Sequence, residues 1–239
     1  MAPTGDESPS RRTAPTARRP LLADAAITIL ARDGGRGLTH RAVDREAHVP
    51  EGTTKNYHAT RQAILEAAAN RMAELHHAAV DQLRETTPAG ATPHQLRMLY
   101  PALIRRAVHN DPTQALAMVE LYLEAVRRPG VRTALGAMTT ANAHATAQLH
   151  HAAGVPSDTA ATGLLDACLL GVMLSQLALP PDTLTVTGLD DTDTVGTQLF
   201  DTVTRHTTQP VDHPALSTVC HPLPRASTRR QPVTYSHGR

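Results

Sequence analysis

The sequence predicts an all-α protein, and three observations carry that prediction. Aromatic residues make up 2% of the chain while apolar residues reach 41%, so the core must be built from Ala, Leu, Val and Ile. Alanine and leucine favour helix, and the β-branched and aromatic runs expected of strands are scarce. Between Gly- and Pro-containing breaks, apolar residues recur at three- and four-residue spacings, the period of a helix face. At 239 residues the chain fits one compact domain or two smaller ones and is long enough to bury a core.

Residues 1–17 are rich in Pro, Thr, Ser and charge, lack periodicity and read as a disordered arm. Its Arg11 and Arg12, with Arg18 and Arg19 beside it, exceed Asp6 and Glu7; the arm is either a phosphate-touching extension or a solvated leader. From 19 to 33, Leu21, Leu22, Ala25, Ala26, Ile29 and Leu30 form two adjacent rows of a helical stripe. Gly34 and Gly35 stop that helix, because glycine takes the left-handed conformation a C-cap prefers. Leu38 follows as a buried plug, and Thr39 caps a second helix over 40–47 with Ala42, Val43 and Ala47 inward. The turn at His48 and Val49 leads to a third helix, 50–57, opened by Pro50 where a missing N–H costs nothing. That helix carries hardly any apolar side chains, so its value is not in packing.

Thr60 caps a long fourth helix running through Ile64, Leu65, Ala68, Met72, Leu75 and Ala79 towards Thr86, and 86–93 is a connector. Helical stretches follow at 94–109, 112–128 and 131–153, the last ending at Gly154. Ser157 or Asp158 caps the next helix, whose segment 164–179 is apolar nearly all round and must therefore be buried on every side, most easily against a second copy of itself. Pro180 and Pro181 end it, a weaker helix spans about 193–205, and the Pro- and Arg-rich remainder reads as a disordered tail. The expected organisation is an arm (1–17), a three-helix helix-turn-helix head (18–65), a helical ligand-binding and dimerisation domain (66–207) and a tail (208–239).

A formal net charge of +1 gives no global nucleic-acid signal, so any such signal is local. Lys55, the only lysine, lies in the third helix. Cys168 and Cys220 sit far apart in dissimilar settings, which suits a reducing cytoplasm. The N-terminus has no apolar signal-peptide region, and the apolar run 164–179, interrupted by Asp166, Ser175 and Gln176, is shorter than the roughly 20 residues of a membrane span. A cytoplasmic protein with no membrane partner is expected.

Residues 34–65 carry a joint pattern: G-x-G-L-T-x-R at 35–41, V-x-x-x-A-x-V at 43–49, G-T-T-x-N-Y at 52–57 and R-x-A-I-L at 61–65. In this the chain resembles the TetR-type bacterial transcriptional regulators, over roughly residues 19–67. The resemblance implies a DNA-reading head, a dimer and a ligand pocket, with no cofactor and no enzymatic activity. Helix N-termini and hydroxyl donors suit phosphates, which places Thr39, Thr53 and Thr60 at or near such starts, and the resemblance implies phosphate contacts by Tyr57 and Arg61 as further positioning residues. Base readout falls to Arg41, Thr54, Lys55 and Asn56: the cations suit guanine, asparagine suits adenine, and a threonine methyl meets thymine. Gly52 allows close backbone approach. Tyr57 is alternatively a packing residue, and Arg61 an ordinary first-turn charge. Three positions depart from the family: His48 stands where the turn usually has glycine, Lys55 where an aromatic is common, and His58 where phenylalanine is common.

The expected partners are a palindromic double-stranded operator, a small-molecule inducer and a second copy of the chain. Candidate ligand-lining residues are Met72, Met98, Tyr100, Met118, Tyr122 and Met173, adaptable or amphipathic side chains on the helices expected to surround a pocket. Glu120 and Asp166 lie in apolar neighbourhoods where either faces a cationic or hydroxylated ligand; for Glu120 the alternative is a solvated surface acid. The dimer interface is expected at Leu164, Leu165, Cys168, Val172, Ser175, Leu199 and Phe200.

Two other classes compete. A metal-dependent sensor or enzyme is prompted by 14 histidines, including His76–His77 and His150–His151. Adjacent helix residues diverge by about 100°, and no HExxH or Cys–His array occurs, so no metal site is expected. A helical interaction module that has lost DNA binding is the other, kept open by Lys55 and His58.

Overall fold

The computed structural model describes residues 15–86 and 90–206; the arm before residue 15 and the tail beyond residue 206, with Cys220, lie outside the described residues. Among the described residues there are ten α-helices and no strand. They are α1 (Pro15–Gly37), α2 (His40–Glu46), α3 (Thr53–Tyr57), α4 (Arg61–Thr86), α5 (Pro93–Arg105), α6 (Thr113–Arg127), α7 (Pro129–Ala152), α8 (Thr159–Ala178), α9 (Pro181–Thr187) and α10 (Thr192–His206). A π turn, Arg106–Asn110, follows α5 directly.

Local chemistry sets most of the ends. Gly34 takes φ 67° and breaks α1. Thr39 caps α2 by accepting from the Ala42 N–H, and Thr60 accepts from the Ala63 N–H at the start of α4. At α5 Thr92 and Gln95 form a reciprocal capping box, with Pro93 in the first turn. Asp158, not Ser157, caps α8. The helix α9 goes beyond the expected elements: Pro181 opens it and Gly188, at φ 69°, closes it, the usual Pro-first, Gly-last asymmetry.

The core has two parts. One joins α1 to α4, α6 and α7 through Leu22, Ile29, Leu30, Leu38, Val43, Ile64, Leu65, Leu121 and Val131. The other joins α5, α8 and α10 through Leu96, Tyr100, Ile104, Leu165 and Phe200. Phe200, the only phenylalanine, lies 5.3 Å from the Tyr100 ring centre and 5.5 Å from that of His150. Burying an aromatic trio is how a chain this poor in rings fills a wide space.

The α8 helix is not buried all round. Its inner face packs on α7 and α10, while Leu164, at 57% exposure, lies on a stripe with Ala167, Gly171 and Leu174 that faces outward. Among the described residues it is the one helix long and apolar enough to cross a membrane, with a mean hydropathy of 1.5.

Candidate DNA-reading head and ligand cavity

The head is organised by Asp44, a residue the sequence did not single out. Buried on α2, its carboxylate accepts from the Gly52 N–H at 2.7 Å, the Thr54 N–H at 2.7 Å and the Thr54 hydroxyl at 2.6 Å. It thus supplies from a neighbouring helix the cap that Gly52, lacking a side chain, cannot. Gly52 itself sits at φ 89°, a conformation that suits glycine. His48 holds the turn between α2 and α3 at φ 52°, the left-handed strain expected where the family has glycine. We expect His48→Gly to stabilise the protein by about 0.5–1 kcal/mol, since relief of the left-handed clash exceeds the entropy cost of glycine. A lowered urea midpoint would contradict this.

This anchoring turns α3 so that Lys55 and Asn56 are exposed, and Thr53 and Thr54 are not. Thr54 is fully buried with its hydroxyl given to Asp44, and the Thr53 hydroxyl donates to the Pro50 carbonyl at 2.6 Å. Neither has a free face for a base or a phosphate, which corrects the expectation for both. The helix starts at Thr53 rather than Pro50, and that offset moves the threonines inward. Arg41 is exposed and paired with Glu51 on the outer surface, while Thr39 is exposed at the start of α2. Tyr57 is half-buried against the head's core, with the Arg19 guanidinium 5.6 Å above its ring. His58 fills the slot of a core aromatic, but its buried Nε2 has no partner and burial holds its pKa below the ordinary value.

Arg61 is placed differently from the phosphate contact expected of it. Its guanidinium donates to the Leu38 carbonyl, to the Gly35 carbonyl and to both oxygens of Glu124, at 2.8 and 3.3 Å. The head–α6 junction satisfies it, because a half-buried guanidinium needs several fixed acceptors. Glu124 is buried and also accepts from Arg128 at 2.7 Å; the Arg61 hydrogen bond, then Arg128, holds its carboxyl down to about 2. Glu120, one turn earlier, accepts the Gly35 N–H at 2.8 Å, so it is neither a ligand contact nor a free surface acid. A Cβ on Gly35 would sit 2.5 Å from Glu124 Oε1, so a larger residue there would displace the Glu124 carboxylate from its place beside Arg61.

The opposite face of α6 borders a cavity of about 260 Å³ between α4, α6, α7 and α8, closed at one side by the π turn. Met72, Met118, Tyr122 and Met173 line it, joined by Met138, His76, Asn142 and Asp166. Met98 and Tyr100 do not. Met98 is exposed on the far side of α5, and Tyr100 is buried in the second core, where its hydroxyl pairs with His150 Nε2 at 2.7 Å. One residue of rotation on α5 separates the cavity wall from that core. Met138 escaped notice because α7 is rich in small residues on every side and offers no contrast between its faces.

The residues expected at a dimer interface divide in the same way. Leu164 is outermost, and Cys168, Val172, Ser175 and Leu199 are half-exposed. Leu165 and Phe200 point inward and are fixed in the second core, which removes them from any surface. Among the described residues no group of three His, Cys, Asp or Glu is placed to share a metal ion.

Comparison with known proteins agrees with this architecture. Residues 91–205 match the tetracycline repressor-like C-terminal domain. A TetR-family member from Streptomyces coelicolor A3 is 27% identical, with a TM-score of 0.51 over 76% of this chain and 97% of its own. The multidrug binding protein EbrR, solved with ethidium, is 26% identical, with a TM-score of 0.51 over 76% of this chain and 98% of its own. A TetR-family regulator from Rhodococcus sp., 20% identical, shares the fold with a TM-score of 0.59 over 79% of this chain and 99% of its own. No curated protein sequence is significantly similar to the chain. A helix-turn-helix head, a Met-lined cavity behind it and the matched C-terminal domain give the chain the architecture of the TetR-type transcriptional regulators.

Proposed function

We propose that the protein is a repressor that binds a palindromic operator as a homodimer and is released by a small molecule. The observation that carries this reading is the rigid exposure of Lys55 and Asn56 on α3 by the buried Asp44 anchor. A short polar helix held from behind by its neighbour presents base-reading side chains to a major groove. Lys55 reads guanine and Asn56 adenine, Arg41 joins them on leaving Glu51, and Thr39 and the Tyr57 hydroxyl position the backbone. The Arg41–Glu51 pair is exposed and contributes little stability, so exchanging it for a DNA contact costs little.

The outward stripe of α8, centred on Leu164, is the surface a second copy covers, and α10 borders it with Leu199. A twofold dimer sets its half-sites about 34–36 Å apart. Since α6 carries Met118 and Tyr122 on the cavity and Glu120 and Glu124 on the head, a ligand that moves α6 moves the head. Release follows as a population shift set by the ligand's differential affinity for the two arrangements. The multidrug binding protein EbrR, solved with ethidium, supports a small-molecule role for the cavity.

Gel shift on the DNA upstream of the protein's own gene, with unbiased site selection at fixed salt, tests the reading; no sequence preference in either would sink it. Lys55→Ala is expected to cost about 1–3 kcal/mol at one operator position and relax preference there. Equal losses on operator and random DNA would assign Lys55 to the backbone instead.

A further inference from the structure

The cavity carries a chemistry that its own side chains leave incomplete. Of the six methionines four line it, Met72, Met118, Met138 and Met173. Thioethers are polarizable and reshape around flat apolar rings. In this wall stands one inner carboxylate, Asp166, and no donor among the described residues reaches it; burial alone pushes its pKa up to about 6. A carboxylate removed from water without a partner is costly to keep. On the adjoining wall Asn142 holds a buried Oδ1 that likewise has no donor.

The cations nearby do not answer this need. Arg106 is exposed at the rim beside Asp111, which faces its charge. His76 is desolvated, and its pKa is held below the ordinary value, so it is uncharged at neutral pH. Both groups left without partners are acceptors, and what the cavity lacks is a donor bearing positive charge. Resting on the reading of this cavity as the effector site, we propose that it binds a lipophilic organic cation the size of a tricyclic aromatic amine. The ligand's N–H donors meet the Asp166 carboxylate, and its rings lie among the methionines. Asp166 confers the preference for charge, and the methionines confer tolerance of ring shape.

The test titrates the full-length protein by fluorescence at neutral pH with two probes of similar shape, 9-aminoacridine, a cation there, and acridine, which is uncharged. The wild type is expected to bind 9-aminoacridine at least about tenfold more tightly. Asp166→Asn keeps the shape, removes the charge and is expected to abolish most of that ratio while leaving acridine binding unchanged. Equal affinity of the two probes for the wild type, failure to bind either, or an unchanged ratio in Asp166→Asn would each overturn the proposal. The wild-type ratio decides even if the variant does not fold. Site selection without probe separates this from the regulator reading: operator binding without cation preference defeats only the ligand class, and cation preference without operator binding defeats only the regulator.

Discussion

Asp44→Ala is expected to lower the stability of the head by about 3–4 kcal/mol and to abolish operator recognition. The substitution removes three short hydrogen bonds to a buried carboxylate. Each such charge-assisted bond is worth about 1.5–3 kcal/mol, but relief from burying a carboxylate offsets part of their sum, so the net loss stays near that of breaking a buried charged contact. With only five residues, α3 cannot hold itself together, since a helix that short is far below the length stable in isolation. The damage is local, because the contacts of α1 with α4 and α6 do not pass through Asp44. Amide hydrogen exchange should therefore show protection in α2 and α3 falling by more than about 100-fold while the amides of α4 and α7 keep theirs. A drop of less than about tenfold would show that the turn holds α3 without Asp44. Since Lys55 and Asn56 remain in place chemically, any loss of sequence preference in this variant reports on α3 geometry alone.

Much of this head was legible. The stripe of Leu22, Ala26, Ile29 and Leu30 and the Thr39 and Thr60 caps follow from spacing and side-chain chemistry, the left-handed His48 follows from the family resemblance, and all are present. Asp44 was not, since an acid beside Val43 reads equally well as a surface charge, and only folding brings it to Gly52. Its neighbours follow from it: once Asp44 holds the start of α3, Thr53 and Thr54 must turn inward. Arg61 was misplaced for a related reason. A first-turn arginine has no local acceptors to suggest burial, and its partner Glu124 is 63 residues away.

The second half was legible as helices and much less as faces. An apolar, weakly amphipathic helix such as α8 gives no periodic contrast, so Leu164 and Leu165, about 100° apart, cannot be told apart by composition. One is 57% exposed and the other is buried in the second core. The same ambiguity split Met118 and Tyr122, which line the cavity, from Met98 and Tyr100, which do not. What does survive is the division of α6, where apolar cavity residues alternate with Glu120 and Glu124. That alternation puts the cavity and the head on opposite faces of one helix, and Glu120 is satisfied only while the end of α1 stays docked.

The second core contains a further device whose effect is large: acidification should weaken the fold through His150. This ring is fully buried, with Nε2 at 2.7 Å from the Tyr100 hydroxyl and Nδ1 at 2.9 Å from Ser157 Oγ. Either neutral tautomer gives each nitrogen one complementary hydroxyl, whereas the imidazolium has two donors and leaves one hydroxyl without its acceptor. Burial pushes the pKa down to about 4, from 6.5. Because the folded-state value is depressed, the unfolded chain binds the proton first. The contribution is fully present above the unfolded value and is lost as pH falls through the window between the two, at most on the order of 3 kcal/mol. His58 and His76, depressed by desolvation, act in the same direction. Asp166 opposes them: its value, raised to about 6, means the folded state gains a proton first, which favours folding as pH falls. His150→Gln retains a donor and an acceptor but cannot titrate, so the comparison isolates the histidine. Between about pH 7.5 and about pH 4, urea unfolding should show the wild type losing on the order of 2–3 kcal/mol more than His150→Gln. Parallel pH profiles would mean that the Tyr100 and Ser157 hydroxyls rearrange to accept the imidazolium, and that the second core is softer than its packing shows.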